Sequence, residues 1–122
     1  MDDLEIIFKK SLETLKSAEI NLANGLYETS INRSYYASFY AANALLVKKK
    51  IATKTHKGIV KKFNLEYVHK DNFDKDLGKT LSKLQKERIK VDYDFYITPS
   101  EAKAKKDMEM AKKFIEECKK FL

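Results

Sequence analysis

The stretch INRSYYASFYAANALL, residues 31–46, decides how this chain folds. Apolar and small side chains recur along it at steps of three and four residues, which is the pattern of a helix. Successive residues turn by about 100° around a helix, so the stretch resolves into three faces. One face is an ordinary core stripe, and one carries small residues that let a neighbouring helix approach closely. The third face gathers polar and aromatic side chains, namely Asn32, Arg33, Tyr36, Tyr40, Asn43 and Val47.

This third face is too aromatic for an ordinary solvent-exposed surface and too polar for a dry core. A tyrosine offers a large apolar ring and a hydroxyl group that needs a partner, which suits a subunit interface or a cleft. The face therefore predicts one of these two surfaces. The alternative is that Arg33 pairs with a carboxylate such as Asp92, while the tyrosines only pack.

Outward from this stretch, the same periodicity predicts five helices. They cover residues of about 3–24, about 27–49, a short segment from about 55, about 74–91, and a last segment from 98 to 122. Three glycines and one proline are few interruptions for a chain of this length, and this favours long helices over a many-stranded sheet. The 122 residues suit a single domain, 1–122, because the connections are too short to hold a second one.

The last helix has the clearest predicted start. Thr98 can cap it, Pro99 suits its first turn, and Glu101 stands where a capping box places a glutamate. Cys118 lies on the apolar stripe of this helix, so we expect a small core residue rather than a nucleophile. The other connections are expected at about 50–54, 65–73 and 92–98.

The compartment is predicted from the cysteine count and the N-terminal segment. A single cysteine allows no internal disulfide. The segment MDDLEIIF is acidic where a signal peptide would be basic. The apolar runs fall far short of the roughly 20 residues that span a bilayer. We expect a soluble cytoplasmic protein without a membrane partner.

The net charge of +7 is concentrated in one segment. Residues 48–65 hold seven lysines and His56 but no acidic residue. Such a patch attracts phosphates through its long-range field. The alternative is a solvated, lysine-rich loop and short helix, since charge runs alone are weak indicators.

Three segments together resemble the HEPN domain family. They are NRSYYASFYAANALL at 32–46, TKTHKGIV at 53–60 and RIKVDYDFY at 88–96. The resemblance implies an all-α fold, an antiparallel up-and-down bundle of four long helices plus one short helix. It also implies a homodimer with the second helices near the interface, and a minimal nucleotidyltransferase as partner in a toxin–antitoxin-like system.

Many proteins of that family are metal-independent ribonucleases, whose motif is an arginine followed a few residues later by a histidine. Arg33 matches the motif arginine, but Tyr40 stands at the histidine position. Histidine exchanges protons readily near neutral pH, whereas tyrosine, with a pKa near 10, is a poor base. The resemblance thus implies Arg33 and Tyr40 as the catalytic pair of a variant site. His56 is a possible substitute, although a histidine near a helix start is more often a capping or packing residue.

The candidate site residues form two groups. The predicted ligand-binding residues are Asn32, Arg33, Tyr36, Tyr40, Lys54, His56 and Lys57. Arg88, Asp92 and Tyr93 are expected to have structural or interface roles, with Arg88 and Asp92 paired along one helix. Tyr93, Phe95 and Tyr96 either close the core beneath the last loop or form a ring platform for a base. No metal or cofactor is expected.

Three functions remain open. The favoured one is a nucleotide- or RNA-binding homodimeric module that acts with a minimal nucleotidyltransferase. The second is a metal-independent ribonuclease toxin with a variant active site. The third is a structural dimer without a ligand, in which Asn32 and Arg33 affect only stability and association.

Overall fold

The computed structural model describes residues 2–122, and these residues form helices and no strand. The helices are α1 (Asp3–Ala23), α2 (Tyr27–Lys48), α3 (His56–Phe63), α4 (Lys75–Gly78), α5 (Thr80–Tyr93) and α6 (Glu101–Lys119). A π-helical turn, Asn64–His69, continues directly from α3. Helices α1, α2, α5 and α6 are the four long members of the bundle, so the predicted all-α fold is confirmed.

Helix α2 lies at the centre and packs against α1, α3, α5 and α6. Its small face is wholly buried at Ala37, Ala41 and Ala44. The Ser11 hydroxyl of α1 donates to the Ala37 carbonyl at 2.7 Å, so the backbones of α1 and α2 approach closely there. Gly25 turns the chain between α1 and α2 with φ of +76°, a left-handed conformation that glycine adopts without strain.

An aromatic cluster fills the core beside α6. The Phe63 ring lies 4.9 Å from that of Phe73 and 5.4 Å from that of Phe114, measured between centroids. Tyr67 stacks on Phe63 and donates its hydroxyl to the Leu45 carbonyl. Burial raises the pKa of Tyr67 to about 12, so this hydroxyl keeps its proton. The cluster ties α3 and the π-helical turn to the long helices.

Cys118 also lies in this core, as predicted. It is fully buried, and burial raises the pKa of its thiol well above the ordinary value. A buried thiol of this kind is inert.

Two predicted boundaries in the middle of the chain were wrong. The expected loop over 65–73 is partly the π-helical turn, which directs Tyr67 into the core. The expected helix over 74–91 is two helices, because the chain leaves the helix at Lys79. Gly78 packs so closely on Val68 that a Cβ atom would lie 2.7 Å from the valine Cγ2.

The predicted Thr98 cap of the last helix was also wrong. Ser100 caps α6, and its hydroxyl accepts a hydrogen bond from the Lys103 amide at 3.1 Å. Pro99 therefore precedes the cap, and Glu101 is the first helical residue rather than the capping-box glutamate. Both serine and threonine cap helices, and one of each flanks Pro99. The capping-box spacing from Thr98 to Glu101 therefore favoured the wrong residue, although serine is the stronger cap.

Replacing Ser100 with alanine is expected to lower the free energy of unfolding by about 1 kcal/mol, because the Lys103 amide loses its acceptor. Thr98→Ala is the matched control and should change it by less than about 0.5 kcal/mol. Urea unfolding followed by circular dichroism measures both. A larger loss for Thr98→Ala than for Ser100→Ala would restore the predicted cap and contradict the observed one.

Candidate ligand-binding site

The polar face of α2 meets the end of α5 through one carboxylate. Asp92 Oδ2 lies 3.1 Å from Arg88 Nη1 and accepts a hydrogen bond from Asn32 Nδ2 at 3.2 Å. The predicted Arg88–Asp92 pair is therefore confirmed, with the Arg88 side chain only 11% exposed. One oxygen atom thus links α5 to the residue that precedes Arg33.

Arg33 is held by uncharged groups. Its Nη2 and Nε atoms donate to Asn32 Oδ1 at 2.7 and 3.1 Å, and its guanidinium carbon lies 5.2 Å from the centre of the Tyr36 ring. Within residues 2–122, no carboxylate forms an ion pair with Arg33. The suggested Arg33–Asp92 pair was wrong, because Asn32 takes the position beside Asp92. Arg33 is half-buried and keeps a charge that an anion can neutralise.

Arg88 of α5 contacts two aromatic rings of α2, those of Tyr35 and Tyr36. Its guanidinium carbon lies 5.1 Å from the centre of the Tyr35 ring and 5.5 Å from that of Tyr36. Cations over aromatic faces are attracted by the ring quadrupole. Arg88 Nε is buried and has no hydrogen-bond partner among residues 2–122, so the arginine is not fully satisfied by its surroundings.

The contact between Tyr35 and His56 is the part of the site that the sequence did not reveal. Tyr35 lies on the core face of α2 and is fully buried, yet its hydroxyl lies 2.9 Å from His56 Nδ1. The His56 ring stacks on Phe39 at a centroid distance of 4.3 Å. A buried tyrosine hydroxyl needs a partner, which is the one signal that could have indicated this contact. His56 packs here, and Thr55 supplies the cap of α3.

Burial and the neighbouring charge of Arg88 lower the pKa of His56. Burial also raises the pKa of Tyr35, so both groups are neutral at pH 7. A histidine whose folded pKa is lowered binds fewer protons in the folded state than in the unfolded one. The folded state is therefore destabilised as the pH falls below the ordinary histidine pKa of about 6.5.

We expect thermal stability to fall between pH 7.5 and pH 5, and the fall to be smaller in His56→Gln. The exposed His69 gives the control, since His69→Gln should retain the pH dependence of the wild type. Melting curves at a series of pH values measure this. An identical pH dependence in wild type and His56→Gln would show that another group causes the change.

Tyr40 lies on the same side of α2 as Tyr36, with ring centroids 6.1 Å apart. The Lys10 ammonium of α1 lies 4.7 Å from the centre of its ring. Tyr40 lies seven positions after Arg33, which places the two about 10 Å apart along the helix. Tyr40 therefore has its own surroundings, formed by Lys10, Tyr36 and Phe39.

The remaining predicted residues are exposed on the surface of the protein. Lys54 and Lys57 are exposed on either side of His56. Tyr93 is the last residue of α5, Phe95 and Tyr96 follow in the next turn, and the three are 74%, 92% and 98% exposed. Of the two alternatives for these rings, closure of the core was wrong, because all three side chains are exposed.

A sequence profile of the HEPN domain matches residues 4–121. The chain belongs to the HEPN family. It is similar to two proteins of Methanocaldococcus jannaschii, each 31% identical over 121 residues, named "Putative toxin MJ0605" and "Putative toxin MJ0142". The first match covers 99% of this chain and 90% of the relative. The second match covers 98% of this chain and 82% of the relative. A "UPF0332 protein" of Thermotoga maritima is 30% identical over 114 residues, which is 93% of this chain and 86% of that protein.

This HEPN chain has neither a metal cluster nor a membrane-spanning helix among its described residues. Residues 2–122 contain no cluster of three or more His, Cys, Asp or Glu side chains placed to hold a metal ion. Among the helices of the same residues, none is long and apolar enough to cross a membrane.

Proposed function

We propose that this HEPN protein is a homodimeric RNA-binding module, which acts with a minimal nucleotidyltransferase in a toxin–antitoxin-like system. The observation that carries the proposal is that the Arg33 guanidinium is held in place without a carboxylate partner among the described residues. Its guanidinium is oriented by the Asn32 oxygen and the Tyr36 ring, and no carboxylate of the described chain neutralises it. An oriented, unpaired arginine binds phosphate oxygens in a bidentate manner.

The neighbouring aromatic turn supports RNA over a free phosphate. The rings of Tyr93, Phe95 and Tyr96 are exposed, and all three residues lie within four positions of Asp92, which bonds to Asn32. Exposed rings next to a phosphate-binding cation suit single-stranded nucleic acid, because unpaired bases stack on them irrespective of sequence. Lys54 and Lys57 add positive charge on the α3 side.

A homodimer would place two copies of the Arg33 face in one cleft. The face is half-buried, aromatic and polar, which suits a subunit interface. The toxin names of the two Methanocaldococcus relatives support a toxin–antitoxin-like role and a partner protein.

A ribonuclease activity is the second candidate, and the toxin names of the relatives favour it. Arg33 would hold the scissile phosphate, and Tyr40 or His56 would move protons. Tyr40 is a weak replacement for a motif histidine, and His56 already shares its Nδ1 with the Tyr35 hydroxyl. The arrangement therefore supports binding better than cleavage.

One experiment tests both functions. Short single-stranded RNA is incubated with the protein in excess chelator, and fluorescence anisotropy and gel electrophoresis report binding and cleavage. We expect salt-sensitive binding by the wild type and a loss of affinity of about tenfold or more in Arg33→Ala. Lys9→Ala, at an exposed position of α1, is the matched control and should bind as the wild type does.

The outcomes separate the candidates. Cleavage by the wild type that Arg33→Ala abolishes would make the protein a ribonuclease. Cleavage only in Tyr40→His would indicate a ribonuclease scaffold that lacks its base. Equal RNA affinity in wild type and Arg33→Ala would refute the proposed binding site, and a monomer in sedimentation equilibrium would refute the dimer.

A further inference from the structure

One face of α5 carries a row of lysines that ends at the exposed aromatic turn. The residues of this row follow one another at steps of four, three, four and three positions, so they share one side of the helix: Lys79, Lys83, Lys86, Lys90 and Tyr93. All five residues are exposed. The four lysines are called the α5 stripe below. From Lys79 to Lys90 the stripe extends about 16 Å along the helix axis.

The charge of the α5 stripe is not neutralised within the protein. The ion pairs of α5 are Arg88–Asp92 and Glu87–Lys103, so none of the stripe lysines pairs with a carboxylate of residues 2–122. The first turn of α5 holds no acidic residue, although the positive end of the helix dipole lies there. Like charges one turn apart also repel each other along a helix. The protein therefore carries a positive field along α5 that a polyanion would neutralise.

The neighbouring helix α6 extends this charged surface into a groove. Three of the stripe lysines line one side of a cavity of about 230 Å³ between α5 and α6, and Lys106 lines the other side. The carboxylates of this cavity are occupied within the protein, because the Lys103 ammonium lies 3.3 Å from Glu87 Oε1 and 3.3 Å from Asp107 Oδ1. The exposed charge that remains along the groove is positive, which suits a phosphate backbone.

The α5 stripe and the Arg33 face lie on different sides of α5 and come together at its C-terminal end. Asp92, which bonds to Asn32, lies about half a turn around the helix from the stripe. The 93–96 turn begins with the last residue of the row and exposes three rings. A positive groove next to exposed rings suits single-stranded nucleic acid, because the groove follows the phosphates while the bases stack. An acidic protein would have no use for the rings.

We propose that the α5 stripe extends the RNA-binding surface beyond Arg33. A single strand held by Arg33 crosses the 93–96 turn, where its bases stack, and its next phosphates pair with the stripe lysines. The proposal rests on the proposed RNA-binding function and specifies its substrate as a single strand long enough to reach both parts. At the spacing of about 3.4 Å per nucleotide found in a duplex strand, the stripe alone accommodates about five nucleotides.

Two triple variants with the same loss of charge test the α5 stripe. The stripe variant is Lys83→Gln/Lys86→Gln/Lys90→Gln. The control variant changes three exposed lysines outside the groove and is Lys16→Gln/Lys105→Gln/Lys112→Gln. Circular dichroism melting curves check that both are folded, and fluorescence anisotropy measures their affinity for labelled triuridylate and dodecauridylate.

The expected result depends on the length of the RNA. The stripe variant should bind dodecauridylate about tenfold or more weakly than the control variant. Its plot of log affinity against log salt should be shallower by about two, since each phosphate contact on a single strand contributes about 0.7. Triuridylate is too short to pair with all the stripe lysines while it is held by Arg33, so the two variants should bind it equally.

The contrary outcomes separate this proposal from the proposed function. Equal affinity of the two variants for dodecauridylate would overturn the α5 stripe, and the Arg33 site would stand if Arg33→Ala still weakened both RNAs. An equal loss for both RNAs in the stripe variant would show a general effect of charge and would also overturn the stripe. Dependence on the stripe but not on Arg33 would overturn the continuous path. Absence of binding by the wild type would refute both the function and its extension.

Polyglutamate separates RNA from an acidic protein as the partner of the α5 stripe. At an equal concentration of charge, we expect polyglutamate to displace dodecauridylate poorly, because it offers no bases to the rings of the 93–96 turn. Displacement as effective as that by unlabelled dodecauridylate would assign the α5 stripe to an acidic protein and overturn the proposal.

Discussion

Phe114→Ala is expected to lower the free energy of unfolding by about 3–5 kcal/mol, the largest effect that we predict. Phe114 is fully buried on α6, and its ring lies 5.4 Å from Phe63 and 5.5 Å from Phe73, measured between centroids. Truncation removes apolar area and leaves a cavity between rigid rings that cannot collapse around it. Chemical unfolding at equilibrium measures the loss.

Phe95 gives a matched control for Phe114, since it is 92% exposed. Phe95→Ala should change the free energy of unfolding by less than about 0.5 kcal/mol. Losses of similar size in the two variants would contradict both the buried cluster and the outward direction of the 93–96 turn.

Arg88→Ala should affect both stability and RNA binding. The side chain is 11% exposed and pairs with Asp92, so we expect a loss of about 2 kcal/mol in the free energy of unfolding. The unpartnered Nε of Arg88 keeps this figure below that for a fully bonded buried arginine. In addition, Asp92 loses its cation and becomes a competitor for Arg33. RNA affinity should then fall by about tenfold.

The double variant Arg88→Ala/Asp92→Asn separates these two effects. It removes the competing carboxylate, so RNA affinity should return towards the wild-type value while stability stays reduced. Anisotropy and urea unfolding on the same samples give both quantities. If the double variant binds RNA as weakly as Arg88→Ala, competition by Asp92 is not the cause, and Arg88 acts through the rings of Tyr35 and Tyr36.

The faces of α2 were predictable because helical periodicity alone determines which residues share a side. Ala37, Ala41 and Ala44 are buried as expected, and Asn32, Arg33 and Tyr36 share a polar face. The same reasoning identified the Arg88–Asp92 pair, since one helix fixes the distance between residues four apart.

Contacts between helices were not predictable in the same way. Asn32 bonds to Asp92 where Arg33 was the suggested partner, and spacing along the chain does not say which of two neighbouring residues on α2 reaches a carboxylate on α5. The Tyr35–His56 contact joins residues 21 positions apart. The direction of the 93–96 turn, which decides whether three rings are core or surface, depends on how α5 ends.

The most direct test of the account is to map where RNA binds. The ¹⁵N-labelled protein is titrated with short single-stranded RNA, and nuclear magnetic resonance follows the Arg33 Nε–H, the Asn32 side-chain amide and the backbone amides of 93–96. We predict that these signals shift together and that the shifts disappear in Arg33→Ala. Shifts confined to the lysine-rich segment 48–62, with the Arg33 signal unchanged, would contradict it.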